Sequence, residues 1–183
     1  MTKQQKLEKI EKLYNAYKEG KLGGEFMPED ENPSLKIDSL ENYLYFTLPM
    51  SLNYQRNSYK LWESAKKTYN DPETNFVFNT KSVINSSFED EQKALIKYRL
   101  ALQKDKQTQI WIKLCHTIEE LLNGDIRNLF KINNFDVNKI RSYMQIEHKK
   151  EFPYLSGNKL CNYWMYVISR IVAMSFCEPR SWE

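Results

Sequence analysis

The sequence predicts an all-α fold, and three observations predict it. Apolar residues recur at intervals of three and four along almost the whole chain, the spacing of one face of a helix. Only Phe76, Val77 and Phe78 read as a strand-like piece. Of the five glycines, just Gly124 and Gly157 fall beyond Glu25, which leaves little of the turn chemistry that many short strands require.

The elements follow in order. Leu7, Ile10, Tyr14 and Tyr17 form a stripe on a first helix from about Lys3 to Lys18, and Gly20 ends that stretch. Glycines and prolines then mark a linker from Gly20 to about Ile37. Asp38 or Ser39 caps a second helix through Leu40, Tyr43, Leu44 and Tyr45, and Pro49 kinks or restarts it. Asn53 to Arg56 reads as a connection, after which Asn57 or Ser58 caps a helix to about Tyr69. Asn70 to Asn85 is irregular, and Phe88 to Lys104 is helical again. Ile110, Trp111, Leu114, Cys115, Ile118, Leu121 and Leu122 make the cleanest buried stripe, with Gly124 as its stop. Short helices are expected at Asp125 to Lys131 and Asp136 to about Ile146. From Asn158 the run is apolar on most sides and so central to a core. The division expected is residues 1–37, a helix with an acidic linker, and residues 38–183, one helical domain.

Composition limits the functions that fit. With 183 residues, 41% of them hydrophobic and 28% charged in both signs, the chain can bury a real core. No apolar run approaches the ~18 residues of a membrane span, so no membrane partner is expected. The N-terminus lacks the apolar region of a secretion signal. Cys115, Cys161 and Cys177 show no ligand spacing, and the expected setting is cytoplasmic and nucleoid-associated with reduced thiols. Net charge is +3 but segregated. Glu25 to Glu41 carries six acids against Lys36, and Lys93 to Leu114 carries six bases against Asp105. That pattern suits a polyanion partner, although a solvated helix face also explains such a run.

The stretch FPYLSGNK, Phe152 to Lys159, joins helix to helix through a tight hairpin. Pro153 fixes φ, and Gly157 permits a positive φ or a close approach by another backbone. The next helix then offers unpaired N–H groups as a seat for a phosphate, with Lys159 in its first turn. Such an arrangement grips a nucleic-acid backbone without reading bases.

These residues resemble the hairpin of the helix-hairpin-helix DNA glycosylase superfamily, which includes endonuclease III and the 8-oxoguanine glycosylases. Pro153, Gly157, Lys159 and Asn162 fall on that pattern, with one extra residue before Gly157 and no first glycine. A second stretch, SLNYQRNSYKLWESA from Ser51 to Ala65, is similar to the family's helix-loop-helix upstream, with Leu52, Asn53, Gln55 and Ser58 matching. The resemblance covers roughly Ser39 to Phe176. It implies an all-α, multi-helix glycosylase-like domain that binds damaged double-stranded DNA as a monomer. Asn53, Gln55, Leu155, Gly157 and Asn158 would contact DNA, with Gln55 as a wedge at the flipped base. Lys159 would attack the sugar C1′ and form a Schiff base, giving glycosylase and AP-lyase chemistry on an oxidised base, 8-oxoguanine first.

The family's aspartate is missing, and Glu178 is the carboxylate at a similar reach. A monovalent cation on hairpin carbonyls is implied, whereas the four-cysteine iron–sulfur loop of some relatives is absent and no metal site is expected. Two other functions stay open: a DNA-binding relative without catalysis, and a helical adaptor whose hairpin is only a turn. His116, His148, Tyr163, Trp164 and Phe76 to Phe78 read as structural, as do the cysteines. Lys93, Lys97, Arg99 and Lys104 could track a phosphate backbone, although solvation is the default for such a face.

Overall fold

A computed structural model describes residues 2–21, 27–30 and 32–176. The described residues are helical, with no strand among them. In chain order the helices are α1 (Lys3–Lys18), α2 (Leu40–Thr47), α3 (Ser58–Asn70), α4 (Thr80–Asn85), α5 (Phe88–Lys97), α6 (Lys104–Leu122), α7 (Asn128–Ile132), α8 (Val137–Ser142) and α9 (Asn158–Phe176).

Short polar side chains start most of these helices by accepting from the unpaired N–H groups of the first turn. Ser39 caps α2, Asn57 caps α3, Asn79 caps α4, Ser87 caps α5 and Asp136 caps α8. The stop after α6 is shared: Asn123 takes φ 52° and Gly124 takes φ 73°. The Gly124 N–H closes back on the Ile118 carbonyl at 3.0 Å.

Two stretches differ from the sequence expectation. Phe76 to Phe78 is a 3-10 turn, Asn75–Phe78, and α4 follows it. The turn is fixed from outside, because buried Trp111 Nε1 donates to the Val77 carbonyl at 2.9 Å. The expected helix from Phe88 to Lys104 ends at Lys97. Arg99 adopts φ 60°, and the Ala101 N–H closes on the Leu95 carbonyl at 2.8 Å. This is a left-handed helix stop made without glycine, and it buries Leu100 and Ala101. Beyond α8 the backbone widens into one π-helical turn, Tyr143–Glu147.

The core is one cluster. Tyr45, Trp62, Phe78 and Trp111 form a chain of ring contacts through α2, α3, the 3-10 turn and α6. α9 crosses α2 and buries Cys161, Trp164, Val167 and Ile168. Trp164 Nε1 donates to the buried Thr47 Oγ1 at 3.1 Å. By contrast, α1 buries none of its residues, and Leu7, Ile10, Leu13 and Tyr14 face outward.

Part of the acidic linker is docked. Buried Glu29 pairs with Arg170 of α9 at 2.5 Å, and Asp30 takes the other guanidinium nitrogen at 2.7 Å. The basic run is partly spent within the protein as well, since Lys97 pairs with Asp71 and Glu73, both at 2.7 Å. Among the described residues no helix is long and apolar enough to cross a membrane.

Glu91 on α5 generates a pH prediction. It is 0% exposed, Ser86 Oγ donates to its Oε1 at 2.5 Å, and Oε2 has no partner. Burial raises its carboxyl above the ordinary 4.5. A raised acid binds its proton more tightly in the folded chain, so its stability is present below the unfolded value and is lost as pH rises through the folded one. Glu91→Gln removes the ionisation and should match the wild type near about pH 4. At about pH 8 it should be more stable by on the order of 1 kcal/mol in urea unfolding. A wild type that gains stability on the variant as pH rises would contradict this.

Candidate nucleic-acid interface

The two stretches singled out in the sequence, far apart along the chain, line one open cleft of about 760 Å³. The turn at Asn53 to Ser58 forms one wall. Residues from Tyr154 to Leu160, with Tyr163 beyond them, form the other. The cleft exists because α9 packs on α2 and on the 3-10 turn Pro49–Leu52, which feeds directly into Asn53.

The first wall is held rigidly. Asn53 is 8% exposed, and its side-chain amide donates to Ser58 Oγ at 3.1 Å, so it shapes the turn from within. Arg56 spans to the stop after α5, donating to the carbonyls of Leu100 at 2.5 Å and Arg99 at 2.6 Å. Burial first, then the nearby Arg99 charge, lowers its pKa to about 10, which leaves it a cation at neutral pH. Between these anchors Tyr54 and Gln55 are exposed, and Gln55 holds φ 50°. A non-glycine residue there is under backbone strain, which persists only where neighbours over-determine it.

The hairpin differs from expectation in one respect. Gly157 does not take a positive φ; the left-handed residue is Tyr154, at φ 60°. Tyr154 directly follows Pro153, where the resembled pattern has its first glycine. Gly157 is instead crowded by the hairpin's own backbone. Its N–H donates to the Tyr154 carbonyl at 2.9 Å, and a Cβ added at Gly157 would meet that oxygen at 3.0 Å. Leu155 is 0% exposed and anchors the hairpin in the core. Asn158 and Lys159 are exposed in the first turn of α9, where the Gly157 carbonyl accepts the first helical bond from Cys161 at 2.8 Å.

Two side chains not foreseen from sequence complete the site. Tyr54 stacks on Tyr154 across the cleft, with centroids 5.2 Å apart and planes 5° from parallel. Lys106, from the first turns of α6, sets its Nζ 5.3 Å from the Tyr154 ring centre. Ring stacking and a cation over the ring are each worth about 1 kcal/mol. Together they give the strained Tyr154 backbone its compensation. No local signal marks a pair so distant in sequence; only Tyr154 in place of a glycine hinted at it.

The lining carries Arg56, Lys149 and Lys159 and, among the described residues, no carboxylate. The acid that does approach comes from behind. Tyr163 lines the cleft, and its hydroxyl donates to Glu29 Oε2 at 2.8 Å. Burial, then that bond, holds the Tyr163 phenol well above its ordinary 10.0, so it stays a neutral donor. Glu178 lies outside the described residues.

The other candidates are elsewhere. His116 pairs with Glu120 at 3.4 Å on α6, and His148 lies against the Tyr143 ring at 4.2 Å. Cys115 is fully buried, and desolvation pushes its thiol well above 9.0, the opposite of what a nucleophile needs. Among the described residues no group of three or more His, Cys, Asp or Glu side chains is placed to hold a metal ion. No protein family, curated protein or solved structure matches the chain.

Proposed function

We propose that this protein binds DNA, and that the cleft between Asn53–Ser58 and Tyr154–Leu160 is where it grips the phosphate backbone. The observation that carries the reading is the convergence of the two walls on a single cleft lined by Arg56, Lys149 and Lys159, with no carboxylate among the described residues of its lining. Backbone N–H groups at the start of α9 suit a phosphate oxygen, and Lys149 and Lys159 flank it. Gln55, exposed at the tip of the opposite wall, is the side chain free to enter a base stack. A monovalent cation on the hairpin carbonyls belongs to the same proposal.

Salt dependence tests this reading. Phosphate contacts release counterions, so binding of a short duplex should weaken steeply with salt. Lys149→Ala and Lys159→Ala should each lower the slope of log K against log salt by about 1, with little change between sequences. Equal slopes in the wild type and both variants, measured by fluorescence anisotropy, would remove the cleft from the interface.

A second reading, excision of a damaged base with AP-lyase chemistry, is favoured by Lys159 lining the same cleft as Gln55. The Lys159 amine would attack the sugar C1′, the base would leave, and the imine formed would open the route to strand cleavage. Lys159 stands in solvent in the free protein, so the dry surroundings an amine nucleophile uses would have to come from the bound DNA. Borohydride reduces such an imine to a stable amine. A covalent adduct on duplexes bearing 8-oxoguanine or an abasic site, absent in Lys159→Ala, is the expected outcome of this reading. Tight duplex binding with no adduct and no released base would leave the binder alone.

A further inference from the structure

The pair Tyr54–Tyr154 does something that a backbone grip does not need. Both residues line the cleft, and both sit beside left-handed backbone: Tyr154 itself at φ 60°, and Gln55 next to Tyr54 at φ 50°. The left-handed region at a bulky residue costs free energy and persists where the surroundings impose it. Here the strain presents two rings in parallel, 5.2 Å apart.

Tyr154 is covered on this side by Tyr54 and has the Lys106 ammonium over its ring. Tyr54 is the end of the stack. It remains 53% exposed, with one face on Tyr154 and the other turned outward. An aromatic face left open at the end of a stack, beside Lys149 and Lys159, fits a ligand that is a flat π-system joined to an anion. An unpaired nucleotide is that ligand. Its base is planar and its phosphate carries the charge, and stacking of this kind tolerates every base. A purely apolar partner would gain nothing from the lysines, and an inorganic phosphate nothing from the ring.

We infer that Tyr54 is a stacking platform for an unpaired nucleobase, so that the cleft takes a single-stranded nucleotide as well as a duplex backbone. This rests on the reading of the cleft as a nucleic-acid site. It differs from the wedge role of Gln55, which enters a stack rather than receiving a base. A base on the outer side of Tyr54 would extend the existing Tyr154–Tyr54 stack by one layer.

The experiment compares two single-stranded probes of equal length and phosphate number: oligothymidylate, and an inert strand of reduced abasic (tetrahydrofuran) units. Binding of the full chain is followed at low salt, with the duplex alongside. Stacking predicts that oligothymidylate binds more tightly than the baseless strand by about tenfold. Tyr54→Ala should abolish that preference, and Tyr54→Phe should retain it. Tyr54 is exposed, so neither change opens a core cavity, and circular dichroism checks that both variants fold. Equal binding of the two strands by the wild type, or a preference that survives Tyr54→Ala, would overturn the platform while leaving a duplex-binding cleft intact. Failure to bind any of the three probes would overturn the cleft reading and the platform together.

Discussion

The placement of α9 governs the rest of the structure. Trp164, fully buried, fixes the helix across α2 by donating to Thr47, while Phe130 stacks on its ring with centroids 5.6 Å apart. One end of that helix carries the hairpin, and the segment just past Thr47 carries the turn with Tyr54 and Gln55. A single buried contact therefore sets the spacing of both cleft walls. Removing the Thr47 acceptor would strand a buried indole N–H, which is why a hydroxyl rather than a methyl occupies that place. The Arg170 pairs with Glu29 and Asp30 extend the same logic toward the N-terminal side, tying a segment of the linker to the helix that presents the site.

How rigid the cleft is follows from where its strain sits. Three non-glycine residues around it, Gln55, Arg99 and Tyr154, are left-handed. Arg56 locks the first to the second by donating to the carbonyls at Arg99 and Leu100, and the Tyr54 stack joins the first wall to Tyr154. A surface that needed only charge would not require this, since lysines on any exposed helix supply it. Fixed geometry suits the recognition of a rigid partner, such as a backbone at set spacing or a flat base. The segregated charge is consistent with such a partner once the internal pairs are subtracted. Lys97 is committed to Asp71 and Glu73, whereas Lys106 turns toward the cleft.

Much of the helical order was legible because it depends on local rules. The stripe from Ile110 to Leu122, its stop at Gly124 and the caps at Ser39 and Asn57 all act within one or two turns of the residues that announce them. What was not legible depends on distant partners. Phe76 to Phe78 reads as strand, yet Trp111 pins it as a 3-10 turn through the Val77 carbonyl. The break after Lys97 uses Arg99 in a conformation that sequence would assign to glycine, and Arg56 supplies the tertiary brace. At the cleft, the sequence singles out the two stretches that line it, with Gln55, Gly157 and Lys159 among them. It could not see that Asn53 and Leu155 face inward, that Tyr154 rather than Gly157 takes the left-handed turn, or that Tyr54 and Lys106 would meet there.

On the proposal made here, nucleic acid sits in the cleft between the two walls. Amide chemical shifts, followed while a short DNA duplex is titrated into the labelled protein, address it most directly. Perturbations concentrated at residues 53–58 and 154–160, with α6 near Lys106 as their edge, are the expected result. Shifts confined to α1 or to the α7–α8 side, with both walls silent, would contradict it.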